Sequence, residues 1–368
     1  MADIYEIALA FTPGIGCTSC RQLIDICGSA EALFTMSHSQ LTELFGHRAA
    51  IIKSIMGRSA FPRAEEELRF VERGGLRALF FTDPAFPSRL NREETQDGPV
   101  LIYVQGEADL NAERTISIVG TRRATQAGRD NCDQLVRQLV PLGTTVVSGL
   151  AYGIDTAAHV AAVEHGLPTV AVLGHGLDRI YPPSNRALAE KIISQGGALV
   201  TEYPSQTAIN PHYFPARNRI IAGLGDATVV MEASEKGGAL ITAAIAGSYL
   251  RPVFAVPGRL TDTYSRGTNN LIAVNKALLL RSADDVAYHL GWPMPEGEAV
   301  QQELFPTLNN SEQRVVDLLK VNQMMSIEEL ASRLEIPLVQ VASILFNLEM
   351  QKVVRPLPGR MYELRSSH

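Results

Sequence analysis

The sequence has no long apolar run, and this absence limits where the protein can reside. No stretch reaches the roughly 18 consecutive apolar residues of a membrane-crossing helix. The first residues, Met-Ala-Asp-Ile-Tyr-Glu, carry acids where a secretory signal needs basic residues followed by an apolar segment. We therefore expect a cytoplasmic protein that makes no membrane contact.

Cysteine is also scarce, with four residues in 368, namely Cys17, Cys20, Cys27 and Cys132. This number and its bunching exclude a secreted disulfide framework and fit a reducing compartment. Cys17 and Cys20 have the spacing of a metal or redox pair. No second pair or suitably spaced histidine follows, so we favour free thiols over zinc and predict no metal site and no cofactor.

An excess of positive charge is missing as well. The net charge is −6, which argues against a protein that coats duplex DNA by bulk electrostatics. Residues 1–112 carry 10 basic and 15 acidic side chains, whereas residues 113–290 carry 16 and 14. We therefore expect any anion site in the middle of the chain.

The order of sequence patterns predicts three domains. Residues 1–60 show short apolar helices around the turn Pro13-Gly-Ile-Gly16, which resembles a helix-hairpin-helix element; because this segment is acidic, we favour an ordinary packed turn over DNA contact. Residues 61–290 change to β-branched runs that alternate with helices, a pattern typical of a doubly wound α/β fold with a parallel sheet. Residues 291–310 have linker composition, and residues 311–368 predict three helices and a hairpin, which is a winged helix-turn-helix.

The last predicted helix of this winged helix, Pro337–Met350, is poor in cations. It offers Gln340, Asn347 and Glu349, and no arginine or lysine occurs before Lys352. Arginine and lysine make the commonest specific contacts in the major groove. Because the helix has neither, we favour a protein-contact role for this domain over specific DNA binding.

Three glycine-rich segments follow predicted strands in the middle domain. They read Ile118-Val-Gly-Thr-Arg-Arg123, Val147-Ser-Gly-Leu-Ala-Tyr-Gly-Ile-Asp155 and Leu173-Gly-His-Gly-Leu-Asp-Arg-Ile-Tyr-Pro-Pro183. The carboxyl ends of parallel strands meet at one edge, where ligands bind in such folds. Backbone amides, Arg122, Arg179 or Arg186, and the ring of Tyr181 therefore predict an anion and stacking site suited to nucleotides.

Further charged residues follow the later predicted strands. Glu202 and Glu232 each come after a strand, and Arg217, Asn218 and Arg219 lie near the start of a helix that begins close to Phe214. We expect the two carboxylates to form structural ion pairs with Arg217 and Arg219. Asp155, His159 and His175 are expected to hold turns and helix starts rather than to act as catalytic groups or metal ligands.

These motifs, together with Phe214-Pro-Ala-Arg-Asn-Arg-Ile-Ile-Ala-Gly-Leu224 and Gly267-Thr-Asn-Asn-Leu-Ile272, resemble the bacterial DNA-processing DprA (Smf) family. The resemblance covers the whole chain and is most specific over residues 100–280. It implies an extended Rossmann-like domain that binds single-stranded DNA in a basic pocket without catalysis. It also implies a homodimer that protects incoming DNA and loads the recombinase RecA on it during natural transformation.

The resemblance also implies roles for individual residues. Arg122 is a phosphate contact and Tyr181 a base-stacking ring, and whether Arg179 or Arg186 faces DNA stays open. The set of expected nucleic-acid contacts is Gly120, Thr121, Arg122, Gly149, Gly174, Gly176, Arg179, Tyr181, Arg186, Arg217, Asn218 and Arg219.

Two other classes of function remain open from the sequence. A similar Rossmann-like fold occurs in nucleotide phosphoribohydrolases, which use a glycine-rich loop followed by a catalytic glutamate. The corresponding place here, Glu235-Lys-Gly-Gly-Ala-Leu-Ile-Thr-Ala-Ala244, has alanine where the last glycine and that glutamate would stand, so the acid that protonates a leaving base is missing. The other class is a winged-helix repressor with a ligand-sensing domain. The lack of cations in the helix Pro337–Met350 argues against this function.

Overall fold

The computed structural model describes residues 1–46, 48–293, 309–351 and 353–364. The chain divides into two compact units, residues 1–294 and 295–368. Most of the predicted linker at residues 291–310 lies outside the described residues. Within the described ranges, no helix has both the length and the apolar character needed to cross a membrane.

Six helices occur at the start of the first unit within the described ranges 1–46 and 48–293. They are α1 (Ile4–Phe11), α2 (Cys17–Cys27), α3 (Ala30–Thr35), α4 (His38–Phe45), α5 (Ala49–Met56) and α6 (Phe61–Arg73). A capping box starts α1, where the Asp3 side chain accepts from the Glu6 amide at 2.8 Å. Buried residues of these helices share one hydrophobic core with the first strands of the sheet. The domain boundary near residue 60 stays a prediction, because residues on both sides of it build this core.

The central sheet of the first unit has nine strands. They are β1 (Arg77–Phe80), β2 (Leu101–Gly106), β3 (Thr115–Val119), β4 (Thr145–Ser148), β5 (Thr169–Val172), β6 (Ala198–Thr201), β7 (Ala227–Val230), β8 (Val253–Ala255) and β9 (Leu278–Leu279). Their spatial order is β1-β2-β6-β5-β4-β3-β7-β8-β9. Strands β3 to β9 pair in parallel, which confirms the predicted doubly wound sheet. Antiparallel pairing of β2 with β6 and of β1 with β2 extends one edge.

Helices cover both faces of this sheet. They are α7 (Gln126–Leu139), α8 (Ile154–Glu164), α9 (Arg186–Ser194), α10 (Tyr213–Leu224), α11 (Gly238–Ser248), α12 (Arg266–Ala273) and α13 (Ala283–Leu290). Successive strand side chains point to opposite faces, so Ile118 lies in one hydrophobic core and Val119 in the other. The strand order reverses at β3, which has β4 on one side and β7 on the other. The crevice at the carboxyl ends of β3 and β7 is therefore the topological switch point of the fold.

The second unit has the predicted winged-helix composition. Its elements are α14 (Asn310–Asn322), β10 (Met324–Ser326), α15 (Ile327–Leu334), α16 (Leu338–Met350), β11 (Val354–Leu357) and β12 (Met361–Leu364). A capping box starts α15, with the Ser326 hydroxyl accepting from the Glu329 amide at 3.1 Å. The short strand β10 was not predicted; it pairs with β12 and completes a three-stranded sheet.

Candidate functional site

The turn after β3 presents Arg122 on a fixed backbone. The Thr121 amide donates to the carbonyl oxygen of Glu232 at 2.8 Å, and the Thr121 carbonyl accepts from the Ile154 amide at 3.1 Å. A side chain at Gly120 would collide with Ile154, because an added Cβ would lie 2.5 Å from its Cγ1. Arg122 itself is exposed, and among the described residues no carboxylate lies within ion-pair distance of it. The turn therefore offers, at the switch point, an exposed cation without an ion pair to the described residues.

An aromatic ring lies beside this arginine, and a second ring contacts the first. The guanidinium carbon of Arg122 is 5.7 Å from the ring centroid of Phe214, within the range of a cation–π contact. The ring of Tyr181 lies 5.7 Å from that of Phe214, centroid to centroid, and 41% of Tyr181 is exposed. One cation and two rings, with Tyr181 open to solvent, suit a ligand that combines phosphates with planar bases.

His175 fixes the segment that carries Tyr181. Its Nδ1 lies 2.9 Å from the Gly176 carbonyl oxygen, and its Nε2 accepts from the Tyr181 amide at 3.2 Å. Burial lowers the pKa of His175. A neutral ring that donates from Nδ1 and accepts at Nε2 satisfies both contacts, so His175 has the structural role expected for it.

The two arginines of α10 have different surroundings. Arg217 is 3% exposed, and its Nη1 donates to the carbonyl oxygens of Gly149, at 2.7 Å, and Val172. Burial lowers the pKa of Arg217 to about 10, so the side chain keeps its charge at neutral pH. Arg219 forms a two-pronged ion pair with Glu202, with both N–O distances 2.6 Å. Both guanidinium groups therefore bind protein groups rather than standing free in the crevice.

The expected ion pairs of the two glutamates are half confirmed. Glu202 pairs with Arg219 as predicted. The expectation that Glu232 also pairs with one of these arginines is wrong: the Glu232 carboxylate instead accepts from the Thr125 amide at 2.9 Å and from the Thr125 hydroxyl at 2.5 Å. Thr125 caps α7, so Glu232 ties the end of β7 to the start of that helix. Gly128 leaves room for this carboxylate, since a Cβ there would lie 2.3 Å from it.

The predicted glycines lie at close contacts within the protein. A Cβ on Gly149 would meet Nη1 of Arg217 at 1.9 Å, and one on Gly176 would meet the Pro204 carbonyl oxygen at 2.5 Å. A Cβ on Gly174 would come within 3.1 Å of the Phe214 ring. These contacts give each glycine a packing reason that does not require a ligand. Their predicted approach to a phosphate remains a proposal.

The remaining predicted residues lie around the same crevice edge or close to it in sequence. Arg179 pairs with its neighbour Asp178 at 2.6 Å, whereas Arg186 is exposed at the first residue of α9. No ion pair of Arg186 occurs among the described residues. Asn218 is partly buried within α10. Within the described ranges, Arg179 therefore has an ion-pair partner and Arg186 has none.

Sequence reasoning missed two features of this edge. Phe214 was noted only as part of a motif, and its contact with Arg122 depends on α10 crossing the strand ends. The second feature is a cavity of about 690 Å³ beyond β7 and β8, lined by Glu235, Lys236, Leu260, Arg266, Asn269 and Asn270. The lysine in the loop after β7 was the available signal, but it was considered only for the enzyme alternative.

Buried titratable residues below the crevice are held by protein contacts. His159 Nδ1 lies 2.8 Å from the Thr169 hydroxyl, and burial lowers the pKa of His159 to about 3. Burial raises the pKa of Asp155, while Arg217 lowers it. In the described part of the chain, no three or more His, Cys, Asp and Glu side chains cluster as metal ligands would. Of the four thiols, Cys20 and Cys132 are buried, and all four are free.

The fold and the site thus define a doubly wound α/β protein with a cationic and aromatic crevice at its switch point, and a winged helix in a second unit. Residues 77–291 match the family model described as DNA recombination-mediator protein A, and residues 301–360 match the DprA winged helix domain. The chain belongs to this DprA (Smf) family.

Relatives with known names agree over most of the chain. The chain is 32% identical to the putative DNA processing protein DprA of Mycobacterium tuberculosis, over 95% of this chain and 91% of that protein. The crystal structure of DprA from Streptococcus pneumoniae is similar with a TM-score of 0.67 and 30% identity, covering 78% of this chain and 98% of that one. A structure of Helicobacter pylori DprA, reported for its single-stranded DNA binding mode, is similar with a TM-score of 0.51 and 29% identity, covering 58% and 95%.

Proposed function

We propose that this protein is a non-catalytic, cytoplasmic mediator of recombination that binds single-stranded DNA. In this role it protects incoming strands and loads the recombinase RecA on them during natural transformation. The proposal needs no cofactor and no membrane. It rests on family membership and, within the chain, on one observation: Arg122 is an exposed cation with no ion-pair partner in the described residues, and it lies 5.7 Å from the ring of Phe214.

The surroundings of Arg122 favour a single strand over a nucleotide substrate. Glu202 and Glu232, the two carboxylates that follow strands at this edge, are occupied by Arg219 and Thr125. Neither is placed as a free general acid. The single-stranded DNA binding mode described for Helicobacter pylori DprA supports single-stranded DNA as the ligand of this protein as well.

The contacts also refine which groups meet the strand. The Thr121 amide already donates to Glu232, so phosphates are expected on the side chains of Arg122 and Arg186 rather than on that amide. Bases are expected to stack on Tyr181 and Phe214, because aromatic stacking tolerates any base. Duplex DNA should bind poorly, since paired and stacked bases do not reach these rings.

A homodimer would present two such crevices to one strand. Strand β9 is an edge of the sheet, and its side chains are exposed, with Leu278 at 39% and Leu279 at 45%. Val274, between α12 and β9, is 50% exposed. Adjacent exposed apolar groups at an unpaired edge favour burial against another chain, so we place the dimer contact here.

Fluorescence anisotropy of labelled oligo-dT, compared with an equal-length duplex over a salt series, tests the proposal. Wild type should prefer the single strand. Arg122→Ala should weaken binding of all sequences alike and reduce the salt slope by about 0.7, the contribution of one phosphate contact on a single strand. Lys191→Ala removes the same charge from the last turn of α9, away from the crevice, and should leave the slope unchanged.

The opposite results have distinct meanings. An unchanged slope in Arg122→Ala, with strand binding retained, would show that the crevice is placed wrongly. Absence of any strand preference in wild type would contradict the mediator role and favour the nucleotide-processing alternative, to be examined by a screen for nucleotide hydrolysis.

A further inference from the structure

The outer face of α16 in the winged-helix unit carries large apolar side chains that the described residues of this unit leave exposed. Val339 is 79% exposed, Phe346 62% and Met350 70%, while Val341, Leu345 and Leu348 on the other side of the helix are buried in the unit's core. Exposed large apolar side chains that line one helix face mark a contact surface more often than they occur by chance.

The exposed residues of this helix offer no cation to a nucleic acid, and Gln340 and Asn347 are their only side-chain amides. The exposed residues of the helix are Leu338, Val339, Gln340, Ala342, Ser343, Phe346, Asn347, Glu349 and Met350. None of them is cationic, and Glu349 would repel phosphates. The helix that enters the major groove in other winged helices therefore has the chemistry of a protein contact here.

The spacing along the face shows what kind of protein fits it. Val339, Ser343, Phe346 and Met350 are separated by intervals of four, three and four residues, which keeps them on one side of a helix. This series of intervals is the same in both directions. Two copies of the helix packed antiparallel therefore bring Val339 of each opposite Met350 of the other, and Ser343 opposite Phe346.

Size and charge are complementary in this register. The large Phe346 ring meets the small side chains at Ser343 and Ala342, and Val339 meets the longer Met350. Glu349 lies opposite Gln340, so no two like charges face each other. An isologous contact requires such self-complementarity, because the same surface must serve as both partners.

We propose that α16 is a self-association surface and that its occupant is α16 of a second copy of this chain, in the antiparallel register just described. A helix of 13 residues is about 20 Å long, so the pair buries less than the roughly 1,200 Å² of a stable independent interface. The contact is therefore weak between free copies and forms when copies are held close together. Under the proposed function, which this step alone assumes, copies bound along one strand meet that condition.

Photo-crosslinking of the full-length chain tests this register. A photoreactive amino acid at position 339, in a mixture of isotopically heavy and light protein, should crosslink between copies to a peptide that contains Met350. The yield should rise with protein concentration and with addition of long oligo-dT. The same probe at position 320, an exposed site on α14, should give no such product.

Second-site variants separate contact from folding. In the position 339 probe background, Phe346→Asp should reduce the intermolecular product at least tenfold, whereas Phe346→Leu should retain it. Products that map to other parts of the chain, or a yield independent of concentration, would overturn the proposal. Binding of a short oligo-dT is measured separately. If the protein binds this DNA but gives no crosslink, only the pairing of α16 is refuted. If the protein gives the crosslink but binds no DNA, only the DNA function is refuted.

Discussion

Replacing Arg217 with methionine distinguishes a structural clamp from a DNA contact. The guanidinium donates to the carbonyl oxygens of Gly149 and Val172 and is almost fully buried. Methionine is long and apolar but donates no hydrogen bond, so both carbonyls lose this donor. Each unsatisfied buried group costs about 1–3 kcal/mol, and part of this is offset because the buried charge is removed. We expect the free energy of unfolding to fall by about 2–4 kcal/mol.

The same substitution should make stability depend more strongly on pH. Burial raises the pKa of Asp155 above its ordinary value of 3.8, and Arg217 is the main group that lowers it. Without Arg217 that pKa rises further. A carboxyl group whose pKa is higher in the folded state than in the unfolded state lowers the free energy of unfolding as the pH rises between these two pKa values. Above the folded-state pKa, the whole of this loss of stability is present. The destabilisation by Arg217→Met should therefore be larger at about pH 7.5 than at about pH 5.

Urea unfolding followed by circular dichroism at both pH values measures this effect, and Asp155→Asn in the same background should reduce its pH dependence. Folded Arg217→Met protein should bind oligo-dT within about threefold of wild type. A loss of stability below about 1 kcal/mol, combined with strongly weakened strand binding, would refute the clamp. A pH-independent difference would refute the coupling to Asp155.

Three further outcomes follow from contacts in the first unit. Glu67 is fully buried and accepts from the Ser205 amide at 2.9 Å and hydroxyl at 2.6 Å, so Glu67→Gln should lower the free energy of unfolding by about 1–3 kcal/mol in urea titrations. Phe214→Ala should weaken oligo-dT binding about five- to thirtyfold in anisotropy titrations, because roughly 1–2 kcal/mol of base stacking is lost. The Tm should change little, and an unchanged affinity would exclude this ring from the site. Leu279→Asp should convert dimers to monomers in sedimentation, whereas Val140→Asp, a similarly exposed position, should not.

The sequence was informative wherever a local pattern decides the structure. The β-branched runs predicted the parallel strands, and the glycine-rich segment after β3 predicted the position of Arg122 at the strand ends. The antiparallel pairing of β1 and β2 was not predicted, because the direction of pairing depends on how segments far apart in the chain pack together. Strand β9, with two residues, is too short to give a pattern.

Side-chain partners were harder to predict than elements. Arg217 and Arg219 differ by two positions, so they point to different sides of α10, and only the packed structure shows that Arg217 reaches two strand ends. The Glu232 carboxylate accepts hydrogen bonds from Thr125, and not from an arginine of α10, because α7 begins beside the end of β7. Such choices depend on the relative positions of elements far apart in the chain, which no local spacing encodes.

The bonds around Glu232 have a consequence for how a ligand would be received. Its carbonyl oxygen holds Thr121, its carboxylate holds Thr125, and Ile154 holds the other side of the Thr121 peptide. The backbone on both sides of Arg122 is therefore already immobilised before any anion arrives, and little conformational entropy is left to lose there on binding. At this turn, adaptation to different strand sequences is then left to the rotamers of Arg122, so the turn combines a preorganised backbone with an adjustable side chain.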